Sequence, residues 1–477
     1  MKSHQPRNIR QYLVTDNAFY KRAFALIIPV ALQYCISTGV NMMDTIMVGN
    51  LGEVAISATS LANQFYTIFT FLCMGISAAG LVLSAQYWGA GDAKSVHRVF
   101  DLLIQIIVLF SALFALVSLF IPEQIMRIYT DDREVIHAGA NYLRVTALIY
   151  LPHGISLVVS NVIRTVGNAK LGLFTSILSF FVNVFFNYVF IFGKFGFPAM
   201  GVTGAALGTL CARVVEFLVC FVYMAKFEPQ LHYRLNGLLK PPSAALFQEF
   251  RRLGLPAVIS DTILAFAASA ISIILGHMGR EVVSAYAIVA VIERLCTVAS
   301  AGVSSASGVL VGQTVGSGDF ARAKKEGVSF TVMSAGIGLA AMVLTYFLGT
   351  WSIGLYDISA STISIAKEMV LAGALLIVFQ TVQGTLSKGV LRGGGDTRFL
   401  MVADVLFQWC ASIPLGFVAG LVLHLPPFWV LIALRIDYVI KAIWLLFRLK
   451  SGKWIHRVQP VGGVAAAEAA IEVALVE

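Results

Sequence analysis

Apolar segments of about twenty residues recur along the whole chain, and this feature constrains the fold more than any other. Four examples are 23–48, 102–121, 328–348 and 403–423, and about twelve such segments lie between polar breaks. A helix of roughly 20 apolar residues spans the ~30 Å hydrocarbon layer of a bilayer. Only 12% of the residues are charged and the mean hydropathy is +0.83, which excludes one large soluble core. We therefore predict an all-α membrane protein with about twelve transmembrane helices.

The net charge of +9 is distributed unevenly among the polar breaks. Lys and Arg collect in every second loop and at both ends of the chain, which is the positive-inside pattern. The pattern predicts a multi-pass protein of a bacterial inner membrane with both termini in the cytoplasm, and no nucleic-acid partner. Examples of these basic clusters are Lys21 and Arg22, Lys94 and Arg98, Arg164 and Lys170, Arg251 and Arg252, Lys324 and Lys325, and Arg448 and Lys450.

The two halves of the sequence are related to each other. A shift of 227 residues (256 − 29) aligns Pro29–Asp92 with Pro256–Asp319 without a gap. The clearest match is a Gln-x-x-Gly-x-Gly-Asp motif that ends each aligned stretch. Because polar and glycine loop positions match in register, we infer an internal duplication. The motif residues are Gln86, Gly89, Gly91 and Asp92 in the first half, and Gln313, Gly316, Gly318 and Asp319 in the second.

The repeat divides the chain into two predicted lobes of six helices each, at 21–225 and 251–449. A polar, basic stretch with three prolines at 226–250 predicts a cytoplasmic linker between them. Residues 1–20 and 450–477 are predicted to be cytoplasmic terminal segments. An even number of helices in each half gives both halves the same orientation, so they are pseudo-symmetric about an axis along the membrane normal. Two such bundles around a cleft are typical of transporters that work by rocking.

The Gln-x-x-Gly-x-Gly-Asp motif predicts how the second and eighth helices end. Glycine favours a left-handed helix cap, and Asp92 and Asp319 are expected to cap the helices that follow. A phosphate-binding loop is the functional alternative, but no strand precedes either motif.

Several motifs together resemble those of a known transporter family. They are Asn41–Gly49 (NMMDTIMVG) in the first half, and Ile292–Leu295 (IERL) and Leu391–Thr397 (LRGGGDT) in the second. The ordered set, across residues 20–450, resembles the multidrug and toxic compound extrusion (MATE) family. The resemblance implies twelve helices in two six-helix lobes. It also implies export of cationic or amphipathic organic compounds, with Na⁺ or H⁺ as the coupling ion and no cofactor.

The resemblance also identifies candidate coupling residues. The acid of the first helix is Asp44. The family's fifth helix has an Asn followed four residues later by an acid, and here Asn183 and Asn187 occupy these positions, so an amide replaces the acid. Three acids of the second lobe also match. The candidate coupling residues are therefore Asp44, Asn183, Asn187, Asp261, Glu293 and Asp396, and the candidate Na⁺ ligands are Asp44, Asp261 and Glu293.

Carboxylates inside the apolar segments favour a functional interpretation, because a charge at the centre of a bilayer helix costs roughly 2.5–3.5 kcal/mol. Asp261 and Glu293 are at comparable depth and are expected to face one internal cavity, where a carboxylate binds Na⁺ or exchanges a proton. The structural alternative is an ion pair between Asp261 and Arg294. The position of Asp396 in a Gly-rich turn favours a helix cap over a transport role.

Two further groups of charged residues are predicted to pair within one helix. Arg213 and Glu216 are three residues apart in the sixth helix, and Arg435, Asp437 and Lys441 lie in the twelfth. Aromatic side chains are candidates for cation–π contact with flat cationic cargo. The candidate cargo contacts are Phe65, Tyr66, Phe69, Tyr286, Arg294 and Asp404.

Other function classes fit the sequence less well. The eight histidines are scattered without a metal-binding spacing, no CxxC or GxSxG occurs, and we therefore predict that the protein is not an enzyme. A channel would need repeated filter loops. A flippase of lipid-linked sugars shares the two-lobed architecture and is the closer alternative, but it requires a cationic cleft, whereas the deep charges here are mainly acidic. We expect small organic cations as cargo and a monomer in the bilayer.

Overall fold

The computed structural model describes residues 12–49, 51–227, 231, 241–354 and 358–458. Within these ranges the chain is helical and contains no strand. Ten helices are long and apolar enough to cross a membrane, and an eleventh span is formed by Arg133–Thr146 and Tyr150–Thr165, which are bent by 52°. The twelfth consists of Pro427–Leu434 and Ile436–Ser451. The predicted all-α membrane fold with twelve spans is confirmed.

The spans are numbered along the chain. The first half contains α1 (Asn17–Gly49), α2 (Glu53–Gly89), α3 (Ala93–Phe120), α4 (Arg133–Thr146 and Tyr150–Thr165), α5 (Lys170–Phe192) and α6 (Gly201–Val222). The second half contains α7 (Ala244–His277), α8 (Arg280–Cys296 and Val298–Gly316), α9 (Phe320–Ile353), α10 (Ala360–Leu391), α11 (Thr397–Val422) and α12 (Pro427–Leu434 and Ile436–Ser451). A short helix, Pro122–Tyr129, precedes α4.

The Gln-x-x-Gly-x-Gly-Asp motif ends α2 and α8 as predicted. Gly91 and Gly318 have φ angles of 77° and 89°, in the left-handed region that favours glycine. The Asp92 side chain then accepts a hydrogen bond of 3.0 Å from the backbone N–H of Ser95 at the start of α3. Asp319 accepts the equivalent bond, of 2.9 Å, at the start of α9. The predicted helix caps are therefore confirmed.

The first six spans pack mainly on one another, as do the last six, and the halves meet along α1, α2, α7 and α8. α1 begins at Asn17, inside the segment predicted as 1–20, and α7 begins at Ala244, inside the predicted linker 226–250. Most of the linker and the tail beyond 458 lie outside the described residues. The lobe boundaries 21–225 and 251–449 therefore stay predictions.

The halves touch at residues that the repeat equates. A Cβ added to Gly312 would lie 2.9 Å from the Cβ of Ala85, its equivalent in the first half (85 + 227 = 312). Farther along the same helices, a Cβ on Gly75 would lie 2.7 Å from the Cα of Val258, and one on Gly302 would lie 2.6 Å from a main-chain carbonyl oxygen of α1. A pseudo-twofold axis therefore passes between α2 and α8, whose C-terminal halves are in close backbone contact.

Candidate functional site

A stripe of polar side chains on α2 marks a cleft between the halves. The stripe consists of four exposed side chains at helical spacing, which are Ser57, Ser60, Gln64 and Thr67. Polar side chains at this depth are not expected to face lipid. Beyond the stripe, toward the C-terminal end of α2, the two halves are in contact from Gly75 onward. We infer that the stripe faces a water-accessible cleft, which is closed at the end that carries the Gln-x-x-Gly-x-Gly-Asp loops.

The first half holds a half-buried carboxylate between α1 and α5. Asp44, on α1, is half-buried, and its Oδ1 accepts a hydrogen bond of 2.5 Å from Nδ2 of Asn187 on α5. The same Nδ2 donates to Oδ1 of Asn183, one turn earlier, at 3.2 Å. Asn183 in turn donates to the Thr209 hydroxyl of α6 at 3.4 Å. The structure thus joins three of the six predicted coupling residues in one network.

This network, Asp44–Asn183–Asn187, contains an unsatisfied oxygen. Oδ1 of Asn187 is buried and has no hydrogen-bond partner among the described residues. Gly208 of α6 lies against it, and any Cβ there would overlap the amide. A buried acceptor without a donor costs free energy unless it contacts a cation, a water molecule or a protonated neighbour. The carboxylate and amide oxygens are the ligand type that Na⁺ and other hard cations use, and the carboxylate also accepts a proton.

Tyr66 and His153 lie deeper in the same half and have unpaired polar atoms. The rings are 5.6 Å apart, and neither the Tyr66 hydroxyl nor either imidazole nitrogen has a hydrogen-bond partner in the described part of the chain. The predicted pair on α6 is present, with Arg213 Nη1 and Glu216 Oε2 2.7 Å apart.

The candidate acids of the second half, which are Asp261, Glu293, Asp396 and Asp404, are each paired with a cation. Both carboxylate oxygens of Asp261, on α7, accept hydrogen bonds of 3.2 Å from the guanidinium of Arg392 at the end of α10. The predicted pairing of Asp261 with Arg294 is therefore wrong, because adjacent α8 residues point about 100° apart and Arg294 lies on the uncovered side of the helix. In the sequence, Arg392 stands out only as part of the Leu391–Thr397 motif.

Glu293 forms a second buried ion pair, with Arg435 of α12. Arg435 Nη1 lies 2.6 Å from both carboxylate oxygens, and its Nη2 donates to the Tyr286 hydroxyl at 3.3 Å. The guanidinium also lies 5.6 Å from the centre of the Tyr286 ring. The predicted pairing of Arg435 within α12 is wrong, since the helix breaks at this residue and turns its side chain toward α8. Glu293 and Asp261 thus belong to separate ion pairs instead of one open cavity.

A third charged cluster links α7, α11 and α12. Lys441 Nζ lies 3.0 Å from Asp404 and 3.1 Å from Asp437, and the latter contact is the one predicted within α12. Asp404 also accepts a hydrogen bond from the Ser260 hydroxyl, and Asp437 accepts one from Ser412 at 3.0 Å. Asp404 is only 2% exposed, so it packs inside the second half and does not line a cavity mouth as predicted.

Asp396 precedes α11 but does not cap it through its side chain. Its carboxylate instead accepts a hydrogen bond of 2.7 Å from Arg448 Nε at the end of α12, and lies 3.6 Å from His456. The predicted cap is wrong because the carboxylate contacts Arg448 and His456, which are distant in sequence, and not the backbone N–H groups at the start of α11. Asp396 therefore fastens the α10–α11 turn to the chain that follows α12.

The predicted aromatic cargo contacts are mostly packed inside the first half. Phe69 is fully buried between Phe114 and Tyr150, with ring centres 5.4 and 4.8 Å away. Phe65 also packs on Phe114, at 5.1 Å. Their spacing of four residues places both rings on the core face of α2, which the choice of aromatic residues for cation–π contact did not take into account. Tyr66 and Tyr286 are half-buried.

Two glutamines hold the closed end of the cleft. Gln86 Nε2 of α2 donates to the Gly393 carbonyl after α10 at 3.0 Å, and Gln313 Nε2 of α8 donates to the Thr165 carbonyl at the end of α4 at 2.6 Å. The repeat equates the two glutamines. Each therefore crosses to the opposite half and bonds an equivalent turn, since Thr165 and Gly393 are 228 positions apart, and we call this pair of contacts the latch.

A segment after α12, residues 453–458, adds to the latch on one side only. Trp454 is fully buried, and the His456 N–H donates to the Gly394 carbonyl at 2.7 Å. Gln86 donates to the His456 carbonyl at 3.2 Å and accepts from the Val458 N–H at 2.8 Å. Val458 packs in a core cluster of the first half, so this strap joins the two halves.

Comparison with known proteins agrees with this architecture. The sequence profile of the MatE family matches residues 29–189 and 256–418. The chain is 29% identical over 418 residues to a probable multidrug resistance protein NorM of Agrobacterium fabrum, covering 83% of this chain and 88% of that one. A probable NorM of Thermotoga maritima is 25% identical over 443 residues, covering 92% and 93%.

Solved structures show the same fold. One is an outward-facing conformation of a multidrug resistance MATE family transporter of the MOP superfamily, with a TM-score of 0.83, 18% identity, and coverage of 94% of this chain and 100% of that one. Another is a variant of the Vibrio cholerae MATE transporter VcmN, with a TM-score of 0.84, 15% identity, and coverage of 91% and 97%.

Proposed function

Because this chain belongs to the MATE family of multidrug efflux transporters, we propose that it exports amphipathic organic compounds in exchange for Na⁺ or H⁺. The two lobes rock about the pseudo-twofold axis between α2 and α8, and the cleft alternates between the two sides of the membrane. The Asp44–Asn183–Asn187 network is the observation that carries the proposal. It brings a half-buried carboxylate and an unsatisfied amide oxygen together among α1, α5 and α6.

The orientation follows from the charges of the loops. The closed end carries the basic residues of the N-terminal turns of α3 and α9 and of the last turn of α12, including Lys94, Lys325 and Lys450. By the positive-inside rule this end faces the cytoplasm, which places both termini there in a bacterial inner membrane. The conformation is then outward-open, with the latch closing the cytoplasmic side. The transport unit is one chain, since each lobe supplies half of the latch.

We assign coupling to Asp44 and not to the acids of the second lobe. Asp261, Glu293 and Asp404 each lie within about 3 Å of a buried cation, so their charges are already compensated. A neutralised carboxylate gives little differential affinity for Na⁺ or H⁺ between two conformations, and only differential affinity shifts a conformational equilibrium. Among the described residues Asp44 forms hydrogen bonds only with neutral amide groups, and Arg213, the cation whose charge acts on it, is itself paired with Glu216. Cation or proton binding there changes the local charge by one unit and biases the lobe arrangement.

The test is transport by purified protein in liposomes. We expect outward movement of an amphipathic dye to depend on an inward gradient of Na⁺ or of H⁺, imposed one at a time. Asp44→Asn should abolish the gradient dependence. Glu53→Gln removes the same charge from an uncovered residue at the outer start of α2 and should behave as wild type.

The alternative function has a distinct outcome in the same assay. A flippase of lipid-linked sugars would move labelled lipid between leaflets without either gradient. Scrambling of lipid, or wild-type dye transport by Asp44→Asn, would contradict the proposal.

A further inference from the structure

Arg294 of α8 carries a positive charge at membrane depth without a counter-ion. Its side chain is exposed and forms no hydrogen bond or ion pair with any residue in the described ranges. The bond that Thr297 donates goes to the main-chain carbonyl of Arg294. It lies 14 residues after Arg280, the outer end of α8, which is about 21 Å along a helix. A bare guanidinium at that depth is costly in hydrocarbon, so it must face water or an anion.

The repeat shows which way Arg294 points. The uncovered stripe of the outer α8 segment is Ser284, Ala287, Val291 and Arg294. A shift of 227 residues equates these positions with Ser57, Ser60, Gln64 and Thr67, which are the polar stripe of α2. Since α2 and α8 meet across the pseudo-twofold axis, the two stripes face each other across the cleft. The opposite face of this α8 segment packs within its own half, on α7, α9 and α10.

Arg294 lies above the floor of the cleft. The floor is at Gly302, eight residues farther along α8, where the helix touches the backbone of α1. That separation is ~12 Å of helix, which leaves room for an organic molecule between Arg294 and the floor. The equivalent position of the first half is the neutral Thr67, so the charge is on one wall only.

The acids nearest in the fold are already engaged. Glu293, the neighbour of Arg294, binds Arg435, and Asp261 binds Arg392. The expectation of cationic cargo depended on these carboxylates being free. With both compensated, the charge that the second lobe presents to the cleft at this level is positive.

We propose that Arg294 binds an anionic group of the cargo, such as a carboxylate, sulfonate or phosphate on an amphipathic compound. The inference deepens the proposed transport function and rests on it. A guanidinium offers a planar fork of N–H donors that matches these groups bidentately, and the low-dielectric walls of the cleft strengthen the attraction. The polar stripe of α2 on the opposite wall is uncharged and accommodates the uncharged polar groups of the same cargo molecule. Cargo that is only cationic would be repelled at this level.

A matched pair of dyes tests the assignment. Rhodamine B carries a carboxylate, and its ethyl ester is the same molecule without the negative charge. We expect purified protein to bind the acid roughly tenfold more tightly than the ester, measured by fluorescence anisotropy at low ionic strength. Arg294→Gln should abolish this ratio and Arg294→Lys should retain most of it. Arg280→Gln, which removes an arginine from the outer end of the same helix, should leave the ratio unchanged.

The outcomes separate this inference from the proposed function. An equal or tighter affinity for the ester, no binding of either dye, or a ratio that survives Arg294→Gln would overturn the assignment of Arg294. Gradient-driven export of the ester by the wild type would in that case still support the transport function. Failure of the transport function would instead appear as loss of gradient dependence for both dyes, whatever their binding ratio.

Discussion

Closure of the latched end of the cleft depends on two glycines whose surroundings leave no space for a side chain. A Cβ on Gly89, at the end of α2, would overlap the main-chain carbonyl oxygen of Gln313, and a Cβ on Gly316 would overlap that of Gln86. In each case the obstacle is helix backbone, which cannot move aside as a flexible side chain can. Gly89→Ala therefore separates α2 from α8 whenever this end closes, and it weakens the latch on the same helix turn.

The magnitude follows from the cost of overpacking. Forcing one methyl group into a close-packed contact costs roughly 1–3 kcal/mol. Opening of this end separates α2 from α8 and removes the contact, so the whole cost enters the equilibrium between the closed and open arrangements of this end. A change of this size shifts the population ratio by a factor of about 5–150 toward opening.

Spin labels at the latched end measure this shift. Lys94 and Ala321 are uncovered, lie at the starts of α3 and α9, and are equated by the repeat (94 + 227 = 321). Cysteines at these positions, in a variant without the six native cysteines, allow distances to be measured by pulsed electron paramagnetic resonance. Gly89→Ala should move the distribution toward longer distances, and Gly316→Ala should do the same.

Gly336→Ala is the matched control. It makes the same substitution inside α9, where an added Cβ meets nothing within 4 Å. A helix-interior Gly→Ala change is expected to be neutral or slightly stabilising there. If Gly89→Ala and Gly336→Ala gave the same distance distribution, the close contact at Gly89 would not limit closure, and the argument would be refuted.

Two further predictions concern the ion pairs and the latch. Glu293→Gln leaves Arg435 buried without its counter-ion, and we expect the melting temperature in detergent to fall by an amount equivalent to about 3–5 kcal/mol. An unchanged melting temperature would show that the pair is not structural. Gln86→Ala removes three hydrogen bonds across the halves, including both to the strap, whereas Gln313→Ala removes one. At about 0.5–1.5 kcal/mol net for each bond, Gln86→Ala should shift the spin-label distances more, and equal shifts would exclude a role for the strap.

The sequence predicted most of the membrane architecture because the bilayer imposes a strict rule. A span needs about twenty apolar residues with all backbone groups bonded internally, so apolar length alone locates helices. The duplication, too, was visible as matching glycines and polar loop residues. The Asp caps after α2 and α8 were predicted correctly, since a cap bonds residues only three positions away.

The ion-pair partners could not be predicted from the sequence. Arg392 lies 131 positions from Asp261, and Arg435 lies 142 from Glu293, and spacing along the chain carries no information about such contacts. Basic residues inside apolar spans were the only available signal. The same limitation made Asp396 look like a cap, when Arg448 of α12 reaches its carboxylate.

By itself, then, the sequence determined the number of spans, the repeat and the acidic residues that merited attention. Only the tertiary structure decided which of those acids lacks an ion-pair partner. Packing of α7, α8, α10 and α12 brings a cation to each candidate acid of the second lobe, while packing of α1 against α5 gives Asp44 a hydrogen bond from a neutral amide. The physical reason is that hydropathy is a local property of the chain, whereas charge compensation depends on which helices become neighbours.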